Sequence, residues 1–129
     1  MTEIEDRLHL PPEAASAGVA RRFVAASLHG CNVDLTLVSL LVSELVSNAV
    51  LHARTPLEVV VQSRGDYVRI TVSDESPALP AMKAYAPDAV TGRGLTMVDT
   101  AAARWGVDEL SSGKAVWFEL PLAQAVSHR

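Results

Sequence analysis

The stretch that most restricts what this chain can fold into is residues 35–53, LTLVSLLVSELVSNAVLHA. Wound at 3.6 residues per turn, it is apolar over most of its circumference. Leu37, Val38, Leu41, Val42, Leu45, Val46 and Val50 cover a broad arc. Such a helix is normally buried. Yet Glu44, Asn48 and His52 fall at i, i+4 and i+8, so they stack as one polar stripe along it. An unpaired carboxylate on a buried helix is costly, so the stripe must meet a charge, a metal or water. These three residues alone also fit a half-exposed helix with one solvated edge. The rest of the chain decides between the two.

A chain of 129 residues, 49% of them hydrophobic, suits one domain with a real core. No repeat, low-complexity tract or second domain is visible, so residues 1–129 are read as a single unit. The formal charge is -4, from 11 basic and 15 acidic residues, and no basic block stands out. Direct nucleic-acid binding is therefore not expected. The one cysteine, Cys31, excludes an intrachain disulfide, and a reducing cytoplasm is the natural setting. The acidic start MTEIEDRLHL lacks the apolar region of a signal peptide. No apolar run approaches the ~20 residues of a membrane span, so no membrane partner is expected.

Residues 7–10 form a short candidate strand, stopped by Pro11-Pro12. Residues 13–28 read as a helix with Pro12 near its first turn, and His29-Gly30 ends it. Asp34 is placed to cap the central helix, and Arg54 falls near its C-terminus, where positive charge suits the dipole. Residues 57–63 and 67–73 alternate about the turn Arg64-Gly65-Asp66, which predicts an antiparallel hairpin. Asp74 follows in phase with Val68, Ile70 and Val72, so a carboxylate is aimed at the layer where the core belongs. Residues 76–91 hold three prolines and no clear period, and a loop that long is usually functional or disordered. Gly92-Arg93-Gly94 then opens a helix over 95–103, with Trp105-Gly106 as its exit. Residues 107–111 and 114–120 give a second hairpin, with Val116, Phe118 and Leu120 inward, and 123–129 a frayed tail. Helices combined with antiparallel hairpins predict an α+β fold. It is a two-layer sandwich with the helices on one face of a mixed, mainly antiparallel sheet.

Three separated pieces therefore carry chemistry: the stripe, the inward Asp74, and a glycine pair at a helix N-terminus. Glycines there let backbone N–H groups approach phosphates, and the helix dipole favours anions. Gly-x-Gly is weak evidence by itself, and neither a Walker pattern nor a Rossmann unit surrounds it.

With these residues in place, the chain resembles the GHKL superfamily. Within it, the similarity is to the histidine-kinase-like ATPase domains of the small bacterial anti-sigma-factor serine kinases. SELVSNAVLHA resembles the N box of that family, VSDES its first glycine box, GRGLTMVDTAAARWGV its second glycine box with the following helix, and GKAVWFELP its closing strand. The resemblance implies a Bergerat-type ATP-binding fold and ATP and Mg²⁺ as cofactors. It implies serine kinase activity on a STAS-type anti-anti-sigma protein, with a sigma factor or other regulator as second partner and a possible homodimer. By matching position, Asn48 would bind Mg²⁺ and Glu44 would be the general base. Asp74 would accept the adenine amino proton, selecting adenine over guanine. Gly92, Arg93, Gly94 and Leu95 would close over the phosphates, with 76–91 as the lid. His52 would support the nucleotide pocket or cap the helix end.

Two departures from that pattern stand out. Glu75-Ser76-Pro77 replaces the glycines after the first-box aspartate, and Lys114-Ala115 stands where many members carry a threonine. Both changes weaken the case for tight nucleotide binding. The alternative reading is a non-enzymatic interaction module that keeps the sandwich. A sensor histidine kinase is not expected, since no dimerisation helix precedes the domain. A phosphatase or metal hydrolase lacks a supporting His/Asp cluster.

Overall fold

The computed structural model describes residues 3–76, 98 and 102–123. In chain order the elements are β1 (Ile4–Leu10), α1 (Ser16–Ser27), α2 (Leu35–His52), β2 (Leu57–Arg64), β3 (Tyr67–Asp74), β4 (Arg104–Leu110) and β5 (Gly113–Pro121). The strands form one sheet in the order β1-β2-β3-β5-β4, and every pairing among the described residues is antiparallel. The helices pack against one another and against one face of the sheet, giving the α+β sandwich that the alternation predicts.

Local chemistry accounts for the element boundaries. The Asp34 carboxylate accepts from the Leu37 N–H at 3.1 Å, which satisfies one of the free donors at the start of α2. At the other end Arg54 takes φ +57°, and its N–H reaches back to the Ala49 carbonyl at 3.2 Å. Arg54 therefore closes the helix in the left-handed conformation usual for glycine, beyond the dipole role expected of it. Helix α1 begins at Ser16 rather than Glu13, because the Ser16 hydroxyl donates to the Pro11 carbonyl at 2.6 Å and holds the chain in turns first. Strand β1 begins earlier than expected, since residues 4–6 continue the pairing with β2.

The larger correction concerns Trp105-Gly106, which lies inside β4 instead of marking a helix exit. Gly106 pairs with Trp117 across the ladder, and a Cβ on Gly106 would meet the indole ring at 2.7 Å. The glycine is there to let an aromatic ring lie over the backbone. Of the helix expected over 95–103, Val98 is helical, whereas Ala102 and Ala103 are not. The other residues of that expected helix, residues 77–91 of the expected lid and the expected tail 124–129 lie outside the described residues.

The core sits between the layers. Val38, Leu41, Val42 and Val46 of α2 meet Val24 of α1 and Leu28 just beyond it over Val59, Val61, Val68, Ile70 and Phe118 of the sheet. Each such side chain contributes roughly 1.5–3 kcal/mol on full burial. Helix α2 is the one described helix long and apolar enough to cross a membrane by composition. Here seven of its residues are buried within the domain, Asn48 among them.

Candidate functional site

Strand β3 alternates strictly between half-buried and buried positions, and Asp74 closes the buried set after Val68, Ile70 and Val72. Its carboxylate is thus delivered to the helix side of the sheet, as the phase predicts. Helix α2 crosses that side and presents Asn48 and His52, one turn apart. A narrow pocket forms where they meet, lined by Asn48, His52, Asp74 and Lys114 with apolar walls from Leu45, Ala49, Val72 and Val116. The structure therefore brings Asn48, His52 and Asp74 together. Glu44 lies one turn earlier, half-buried and outside the pocket lining, with no hydrogen-bond or ion-pair partner among the described residues. Gly92, Arg93, Gly94 and Leu95 lie outside the described residues.

The polar groups of this pocket are in different states. Asn48 is 6% exposed, and its Nδ2 is a buried donor with no hydrogen-bond partner among the described residues. Such a group costs its full desolvation until something binds it. Asparagine can turn its amide over, so the same position can present a donor to an anion or an oxygen to a cation. His52 is exposed at the end of α2. Asp74 is occupied: Lys114 Nζ stands 3.0 Å from Oδ1, and the Ser76 N–H donates to the same oxygen at 2.9 Å. Both partners of the ion pair are buried.

Lys114 is the residue that sequence reasoning undervalued, since it registered only as a departure from a family pattern. The signal was present. Lys114 is in phase with Val116, Phe118 and Leu120, so it belongs on the inward face of β5. Register supplies the rest, because Asp74 and Lys114 are direct partners across the β3–β5 ladder. Among the described residues no three of His, Cys, Asp and Glu cluster as a metal site.

Fold and site together define an α+β domain with a polar pocket between its central helix and the sheet. The family model described as histidine kinase-like ATPase domain matches residues 10–120, and the chain belongs to that family. ATP is the ligand this membership implies. Two solved structures share the fold. One contains the RsbU and RsbW domains of Rv1364c from Mycobacterium tuberculosis, with TM-score 0.67 and 19% identity, over 93% of this chain and 33% of that one. The other is the histidine kinase domain of the blue-light activated histidine kinase EL346 from Erythrobacter litoralis, with TM-score 0.57 and 20% identity, over 89% of this chain and 63% of that one. The chain thus spans less than two thirds of either chain. No curated protein matches it.

Proposed function

We propose that this protein is an ATP- and Mg²⁺-binding regulator of the anti-sigma type, acting in the cytoplasm as a serine kinase on a STAS-type anti-anti-sigma protein. The observation that carries the reading is Asn48, whose buried Nδ2 has no hydrogen-bond partner among the described residues, on the wall of the pocket that also holds Asp74. A neutral side-chain oxygen suits Mg²⁺, which takes few protein ligands beside phosphate and water. The likeness to a structure containing an RsbW domain supports the regulatory half of the reading.

In this reading Asp74 accepts from the purine and Leu45, Ala49, Val72 and Val116 hold the ring between apolar walls. Asn48 holds Mg²⁺, which when bound neutralises charge on the phosphates. Glu44 lies one helical turn from Asn48 and takes the proton of the partner's serine hydroxyl. The serine oxygen bonds to the γ-phosphorus, the bond from that phosphorus to the bridging oxygen breaks, and ADP leaves with the electron pair. By the family resemblance alone, Gly92, Arg93, Gly94 and Leu95 would meet the phosphates.

A second reading, a non-enzymatic interaction module, is favoured by one observation: the Asp74 carboxylate already holds an internal cation. A titration of the chain with ATP, with and without Mg²⁺, separates the two. Mg²⁺-dependent binding, followed by transfer of labelled phosphate to a serine of a STAS partner, is the expected result. Absence of nucleotide binding would leave the module.

A further inference from the structure

We infer that the sheet face turned away from the helices is a docking surface for an acidic segment of a partner protein, held by Arg64, Arg69 and Arg104. Both described helices lie on the opposite face, so they leave this side of the sheet uncovered. The pleat decides what it carries. Val68, Ile70 and Phe118 point into the core, so Tyr67, Arg69, Trp117 and Glu119 point out. Register adds Arg64 opposite Tyr67, and Arg104 opposite Glu119. The Asp74 pocket is on the other side of the sheet, so what binds here is independent of the nucleotide reading.

The cluster already holds one carboxylate. Glu119 is only 2% exposed, with Arg69 on one oxygen and Arg104 on the other, each at 2.7 Å. Arg69 gives Nε and Nη2 to Oε2, and its guanidinium lies over the Trp117 ring at 4.0 Å. A guanidinium both stacked and paired is held in one orientation, and its remaining donors with it. Arg104 meets Oε1 as an ion pair without an aligned hydrogen bond, and its side chain is 68% exposed. Arg64 is exposed, with no hydrogen bond or ion pair among the described residues. Arginine has five N–H donors and no acceptor, so most donors of the cluster stay open. A groove between Gln62, Arg64, Tyr67 and Arg69 gives access to them.

Charge and shape select the occupant. Three arginines meet Glu119 here, with Asp66 in the adjoining turn, which leaves positive charge in excess on a chain of formal charge -4. Glu5 and Glu58, toward the β1 edge, are taken by Arg7, Gln62 and His9. Asp108 is four residues along β4 from Arg104, roughly 13 Å away and beyond the screening length. A nucleic acid would need exposed aromatic faces for its bases. The Trp117 ring is instead taken up by Arg69 and by Gly106, where a Cβ would meet it at 2.7 Å. The net negative chain also opposes a long polyanion. Arg64 on β2 and Arg104 on β4 are three strand steps apart, about 14 Å. An extended segment with carboxylates on alternate residues, about 6.6 Å apart, reaches all three arginines.

The experiment titrates the full, ¹⁵N-labelled chain with the end-blocked peptide Glu-Ser-Glu-Ser-Glu-Ser-Glu and with its Gln counterpart, followed by NMR. The Trp117 indole N–H and the Arg69 Nε–H are expected to shift with the acidic peptide, which should bind about tenfold or more tightly than the Gln peptide. Arg64→Gln, which breaks no described contact, should weaken the acidic peptide about fivefold and leave the melting temperature unchanged. Arg104→Gln should add to the loss. If the two peptides shift these signals equally, or neither shifts them, the face reads no carboxylate and the proposal falls. It falls too if inorganic phosphate or oligothymidylate displaces the acidic peptide at equal concentration. Signals that move with protein concentration alone would make a second copy the occupant and overturn it as well.

Discussion

The backbone carbonyl of Asp74 lies so close to Gly113 that a Cβ at that position would overlap its oxygen, with the Glu75 Cα only 2.8 Å away as well. The first residue of β5 is therefore wedged against the last residue of β3, and that contact sets Lys114 directly opposite Asp74. The obstructing atoms are backbone, which cannot swing aside as a flexible side chain would. Gly113→Ala should destabilise the fold by roughly 1–3 kcal/mol, the usual cost of overpacking. Urea unfolding checks this: the midpoint should fall with the slope unchanged. A wild-type midpoint would mean that the strand end yields freely and that the wedge does not set the pocket.

The buried Asp74–Lys114 pair makes a second expectation about stability. Lys114→Met alone leaves a carboxylate in the core without its cation, retaining only the Ser76 N–H. Loss of one partner of a buried pair typically costs roughly 3–5 kcal/mol. The double variant Asp74→Leu with Lys114→Met removes both charges and should recover most of that loss while abolishing nucleotide binding. Measured as a double-mutant cycle, the coupling should be large. Additive losses would show that the pair is not coupled in solution.

At the end of α2 the sign reverses. Arg54 holds φ +57°, a conformation that costs an L-residue with a side chain roughly 1–2 kcal/mol. Glycine adopts it without strain, although its freer unfolded chain returns part of the gain. Arg54→Gly is expected to raise stability by about 0.5–1 kcal/mol, read as a higher melting temperature. A lower one would indicate that the exposed arginine makes a compensating interaction.

How much of this was legible in the sequence depended on whether the signal was local. The Asp34 cap, the turn about Gly65 and the buried phase of Asp74 are set within a few residues, and each was readable. Asn48 was readable because helical spacing fixes which residues share a face. Trp105-Gly106 was misread, because a glycine after a helical stretch looks like an exit until Trp117 is known to lie across it. Glu119 was invisible as a core residue. It sits on the sheet face away from the helices, yet is only 2% exposed, because Arg69 and Arg104 close over it at 2.7 Å each. Arg69 is in turn stacked on Trp117 at 4.0 Å. That cluster joins β3, β4 and β5, and sequence periodicity sees one strand at a time. The same limit hid the reach of Lys114 to Asp74.

The last prediction separates the two polar residues of α2. Asn48 and Glu44 lie one turn apart, Asn48 buried on the pocket wall and Glu44 half-buried beyond it. Their chemistry differs: an amide oxygen ligates Mg²⁺ and is a poor base, whereas a carboxylate accepts a proton. Asn48→Ala should therefore weaken Mg²⁺-dependent ATP binding and abolish transfer with it. The same substitution also removes a buried donor that has no partner among the described residues, so it should not cost the fold what a buried hydrogen-bonded residue would. Glu44→Gln should leave binding nearly intact and lose transfer, because the shape is kept and the base is not. General-base catalysis typically supplies roughly 10²–10⁴-fold, so the loss should be plain even in a slow kinase. Binding titrations of both variants, run beside transfer of labelled phosphate to a serine of a STAS partner, give the comparison. Transfer by Glu44→Gln at the wild-type rate would remove Glu44 as the base. Wild-type binding of ATP without modification of any candidate partner would instead leave the stripe of α2 holding a nucleotide that serves as a signal and not as a phosphate donor.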